Sequence, residues 1–122
     1  MATVRYIVDD VGEALTLYLD ALGFEDVQRF GQTIAIVRRD DLVLWLAGPT
    51  SSAARPMPDG RIPEPGGWNR FVIEVDDLDG RIEALRASGV PFRNEVVEGP
   101  GGRQILAEDP SANVVELFEP AS

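Results

Sequence analysis

The chain has 122 residues, of which 44% are hydrophobic, and a formal net charge of −10. That length suits one compact domain or two small half-domains sharing a core. Histidine and cysteine are absent and every basic residue is arginine, which excludes Ser-His pairs, thiolate nucleophiles, disulfides and Schiff-base lysines, while the acidic balance repels phosphate backbones and anionic membranes.

No nucleic acid and no membrane partner is therefore expected, and a cationic small molecule would be attracted. No apolar run is long enough to span a bilayer, and the N-terminus lacks the pattern of a secretory signal. The expected compartment is cytoplasmic.

In chain order, Val4, Tyr6 and Val8 alternate as one face of a strand that packs against a helix, with Thr3, Arg5 and Ile7 on the other face. Val11, Ala14, Leu15, Tyr18 and Leu22 then recur at helical spacing, with Asp10 as N-cap, Glu13 as its capping-box partner and Gly23 as the stop. Strands are expected around Glu25 to Phe30, Gln32 to Arg38 and Leu42 to Ala47. The Pro-, Gly- and Ser-rich stretch that follows reads as a linker.

The pattern then repeats. "FVIEVDDL" echoes "VRYIVDDV", so Phe71, Ile73 and Val75 match Val4, Tyr6 and Val8, and Arg70, Val72 and Glu74 take the other face. Leu78, Ile82 and Leu85 predict a second helix, capped by Asp77 or Asp79 and stopped by Gly89. Strands are expected around Phe92 to Val97, Gln104 to Ala107 and Val114 to Glu119. "EGPGG" reads as either a mobile loop or a plain hairpin connection. The paired aspartates belong to architecture, as strand ends and helix caps. The resulting division is a first module over 1–49, a linker over 50–67 and a second module over 68–122.

"VRYIVDDVGEALTLYLDALGF", "NRFVIEVDDLDGRIEALRASGV" and "DPSANVVELFEP" together resemble the vicinal oxygen chelate superfamily, the glyoxalase, bleomycin-resistance and extradiol dioxygenase group. The resemblance covers nearly the whole chain. It implies an α+β fold of two βαβββ modules whose sheets curl into a cup, usually within a homodimer. It also implies a divalent metal held by two side chains per module, one near the start of the first strand and one on the last. By position these are Thr3 and Arg70, and, aligning "LVLWLA" with "VVELFE", Leu44 and Glu116. Only Glu116 is a good ligand, and an arginine among the four adds repulsion. No metal and no other cofactor is expected, unless another carboxylate such as Glu74 is recruited.

The face opposite the helices would line the cup, which makes Arg5, Trp68, Arg70, Glu74, Leu44 and Glu116 the candidate ligand-binding residues, with Leu42 and Leu46 alternating beside Leu44. Arg70 and Glu116 would pair across the old metal site, either closing it or also touching a ligand. Trp45, next to Leu44, should point away, and Trp68 is a cup residue, a loop anchor or an interface residue. In "DPSAN", Ala112 stands where glycine is common, so Asn113 is expected to take the left-handed position. Three functions follow: a metal-free protein binding a small organic, antibiotic-like or cationic ligand; an enzyme of the same family, a lyase, isomerase or dioxygenase-like protein, with Glu116 or Glu74 as the catalytic base or with an atypical metal site; or a scaffold with an empty or filled cup.

Overall fold

The two predicted alternating stretches each become the first strand of a four-stranded sheet, and the computed structural model describes residues 1–121. The chain divides into two compact units, the first ending at Gly66 and the second beginning at Gly67. The linker residues before Gly67 thus group with the first unit. They hold a turn of their own, in which Met57 N donates to Arg61 O at 2.7 Å.

In the first unit β1 (Ala2–Ile7) leads to α1 (Val11–Leu15), and β2 (Glu25–Phe30), β3 (Ile34–Arg39) and β4 (Leu42–Ala47) complete a sheet of order β1-β4-β3-β2. β1 runs parallel to β4 and the other pairs are antiparallel. Asp10 sits in extended backbone at φ −148° and its Oδ1 accepts from Glu13 N at 2.9 Å, the predicted N-cap, a bond worth about 1 kcal/mol. The helix then widens into a π-helical stretch over Thr16–Ala21, which turns both Leu17 and Tyr18 into the core. Gly23, at φ +73°, ends it as expected. β3 begins at Ile34 because Gly31, at φ +58°, and the bond from Thr33 N to Phe30 O hold Gln32 and Thr33 in the turn.

The second unit repeats the plan: β5 (Phe71–Glu74), α2 (Leu78–Ala87), β6 (Val97–Gly99), β7 (Gly102–Glu108) and β8 (Val114–Pro120), in the order β5-β8-β7-β6. β5 is parallel to β8. Asp77 is the cap, its Oδ1 accepting from Gly80 N at 3.1 Å, and Gly89 at φ +85° follows the helix. "EGPGG" closes the β6–β7 hairpin, with Gly99 opposite Gly102.

β6 is shorter and later than the expected strand from Phe92 to Val97. Only Phe92 bridges to Ala107. Beyond it, the side-chain oxygen of Asn94 accepts from Leu106 N at 3.0 Å. A side chain has replaced a backbone partner, and the ladder cannot resume until Val97.

In each unit the helix covers one face of its sheet. Tyr6, Val8, Ala35, Val37, Leu44 and Leu46 are buried under α1 in the first, and Phe71, Ile73, Val75, Ile105, Val115 and Leu117 under α2 in the second. Each fully buried Leu, Ile or Val side chain contributes roughly 2 kcal/mol of transfer free energy, so these faces hold each module together.

Candidate functional site

The face of each sheet away from its helix is set by strand register, since paired residues share a face and neighbours along a strand alternate. In the first unit Val4 pairs with Leu44, Arg5 with Trp45 and Tyr6 with Leu46. Leu44 therefore lies on the helix-covered face at 0% exposure, together with Leu46. This corrects its expected place among the lining residues. Trp45, expected to point away, shares the face of Thr3 and Arg5, and the Arg5 guanidinium carbon stands 4.8 Å from the centre of its ring.

The reason is a one-residue slip in aligning β4 with β8. In the second unit Phe71 pairs with Val115 and Val72 with Glu116. Since Phe71 matches Val4, Leu44 matches Val115 and Trp45 matches Glu116. One residue of slip exchanges the faces of a strand.

The second unit brings charged groups together on its open face. Arg70 lies two residues before Val72, on the same side, and so reaches Glu116 diagonally. Arg70 Nε donates to Glu116 Oε1 at 3.0 Å, and Nη2 lies 2.9 Å from the same oxygen. The carboxylate side chain is 10% exposed and the guanidinium side chain 29%, so the pair is shielded but reachable. Arg70 Nη1 donates to the Trp68 carbonyl at 3.2 Å. Among the described residues no donor reaches Glu116 Oε2. The expected Arg70–Glu116 pair thus forms, and Glu74 lies exposed further along the same face, opposite Phe118.

Two residues that sequence reasoning missed complete the cluster. Arg93 places its guanidinium carbon 4.5 Å from the centre of the Trp68 ring, and its Nε donates to Glu108 Oε2 at 2.8 Å. Its terminal nitrogens donate to Gly67 O at 2.7 Å and Ala112 O at 2.9 Å. Arg93 therefore ties the turn before β8 to the segment leading into β5, and holds one face of Trp68. The indole remains 68% exposed. No periodicity marks Arg93, because it lies where the predicted strand fails to form.

The residues at the metal positions do not fit a divalent ion. By register they are Thr3, Trp45, Arg70 and Glu116. An indole and a guanidinium offer no lone pair to a metal, and the one carboxylate already faces a cation through Oε1. Among the described residues no three His, Cys, Asp or Glu side chains are grouped to hold an ion elsewhere. Among the described residues no helix is long and apolar enough to cross a membrane.

Solved structures share this architecture. A Glyoxalase/bleomycin resistance protein/dioxygenase superfamily member from Sphaerobacter thermophilus is 27% identical, with a TM-score of 0.75, covering 98% of this chain and 95% of that one. TnmS3, an antibiotic-binding protein from Streptomyces sp. CB03234, is 25% identical, with a TM-score of 0.71 over 98% and 93%. A lactoylglutathione lyase from Agrobacterium tumefaciens is 23% identical, with a TM-score of 0.75 over 98% and 92%, a likeness of fold alone. Comparison with curated proteins gave no match. The family model matches residues 1–117, and with the paired βαβββ modules this establishes that the chain belongs to the Glyoxalase/Bleomycin resistance protein/Dioxygenase superfamily.

Proposed function

We propose that this protein binds a small organic, antibiotic-like molecule without a divalent metal, on the open face that carries Arg70, Glu116, Glu74 and Trp68. The observation behind this reading is the Arg70–Glu116 ion pair, in which a guanidinium stands at a position where the family resemblance implies a metal ligand. A fixed internal cation offers direction and charge with no exchangeable coordination position, which suits recognition. Arg5 over Trp45 adds a second aromatic and cationic surface in the first unit. The net charge of −10 raises the local concentration of ligands with cationic groups. The chain works in the cytoplasm and forms a homodimer in this reading.

Two measurements test it. Elemental analysis of the purified protein is expected to find no stoichiometric metal, and a chelator should leave the melting temperature unmoved. Titration with a panel of cationic and aromatic natural products should shift tryptophan emission and raise the melting temperature for at least one of them. A bound stoichiometric metal sinks the metal-free reading, and silence across the panel sinks the binding reading.

A second reading, a metal-independent enzyme with Glu74 or Glu116 as base, is favoured by the exposure of Glu74 on the same face. For any substrate found, turnover that survives both Glu74→Gln and Glu116→Gln excludes it.

A further inference from the structure

The hydrogen-bonding capacity that the Arg70–Glu116 pair leaves unused defines a ligand class. Both contacts of the guanidinium with the carboxylate converge on Oε1, at 3.0 Å from Nε and 2.9 Å from Nη2. Nη1 spends one hydrogen on the Trp68 carbonyl. Nη1 and Nη2 each carry two hydrogens, so each keeps one to give. Glu116 Oε2 keeps its lone pairs, in a side chain that is 10% exposed. The pair therefore presents donors and an acceptor side by side, with opposite charges already cancelled.

A carboxylate ligand would find the donors but would bring its charge against Oε2. An amidinium would find Oε2 but would bring its charge against the guanidinium. A group that carries a carbonyl oxygen and an N–H on one carbon satisfies both and adds no net charge. The surroundings favour a flat apolar body behind that group. The Trp68 ring is held on one face by Arg93 and is 68% exposed, and Val72, directly opposite Glu116, is 50% exposed.

From this we infer that the Arg70–Glu116 pair is a receptor for the carboxamide-type edge of a planar, largely apolar ligand, with the ring lying against Trp68 and Val72. The inference rests on the binding function proposed above and narrows it to a chemical class. Overall acidity steers the approach of a ligand, and this pair selects its recognition group.

Three isosteric probes separate the possibilities: naphthamide, naphthoate and naphthamidine, titrated into the intact protein by ligand-observed and protein-observed NMR. Naphthamide is expected to bind at least about tenfold more tightly than either charged analogue, as one charge-assisted hydrogen bond more would produce. Preference for naphthoate would mean that the guanidinium acts alone, and preference for naphthamidine that the carboxylate does, and either overturns the inference. Binding of none of the three also overturns it, and the broader function then stands or falls separately with the natural-product panel. Glu116→Gln removes the charge that neutralises Arg70, so naphthoate should gain and naphthamide should lose, inverting the order. A merely structural ion pair would leave the order unchanged. Should Glu116→Gln fold poorly, Arg70→Lys is the second test, since it keeps the charge but loses the fork, and should bring naphthamide down to the level of the other two.

Discussion

Ala112 is the residue at which local geometry and side-chain chemistry conflict. It stands at φ +64°, in the left-handed region, in the turn before β8. Sequence reasoning placed Asn113 there, because asparagine tolerates that backbone better than alanine. Asn113 is otherwise engaged: Asp109 Oδ1 accepts from Asn113 N at 2.8 Å and from Ser111 N at 2.9 Å, and Oδ2 accepts from Asn113 Nδ2 at 3.0 Å. Both side chains are buried. Losing those bonds would cost more than the strain at one alanine, about 1 kcal/mol. Ala112→Gly should therefore stabilise the protein by about 0.5–1 kcal/mol in urea unfolding, and a loss of stability would show that the turn carries no strain. The candidate Leu44 was misplaced and Trp45 missed at the same scale, through a slip of one position. Arg70 and Glu116 were legible because the slip fell on the first module's strand alone, and Arg70, just before β5, shares the face on which Val72 pairs with Glu116.

Among the elements, an ionic link between α2 and its sheet runs through Arg103 on β7. Its Nη2 and Nη1 donate to Asp79 at 2.8 and 3.2 Å, and Nη1 lies 3.7 Å from Glu119. Glu119 Oε1 in turn accepts from Leu78 N, the first amide of the helix, at 2.9 Å. The hydrogen bonds from Arg103 hold the Asp79 carboxyl below the usual aspartate value of 3.8, and Asp79 holds the guanidinium above its own. A carboxyl depressed in the folded state contributes stability above its unfolded value, and that contribution is lost as pH falls through the lower folded value. The stability difference between wild type and Asp79→Asn should thus be constant above about pH 5 and vanish on acidification below the usual aspartate range. A difference that persists in strong acid would mean that Asp79 acts through something other than its charge. Element existence was largely legible here: both helices, both caps and most strands follow from local periodicity. β6 was not, since the bond from Leu106 N to the Asn94 side chain depends on a contact across the hairpin.

For the whole molecule, charge is the dominant global quantity. With a net −10 and no lysine, self-repulsion opposes the compact state at low ionic strength. The melting temperature should rise as salt increases from about 10 to about 150 mM, where the screening length shrinks from about 30 to about 8 Å. A flat response would mean that the repulsion relieved by salt is matched by attraction lost in ion pairs such as Arg70–Glu116, Arg93–Glu108 and Arg103–Asp79. Family membership was also legible at this scale, because two copies of one pattern span nearly the whole chain and the family model matches residues 1–117.

The sequence by itself determined the two modules and their helix caps. Periodicity and capping act over a few residues. Only the tertiary structure decided which face Leu44 and Trp45 occupy, that Arg93 braces Trp68, and that Glu116 meets Arg70 through one oxygen while the other stays open. Each of these depends on the register between strands distant in sequence, and in a repeat of period two a single step exchanges inside for outside.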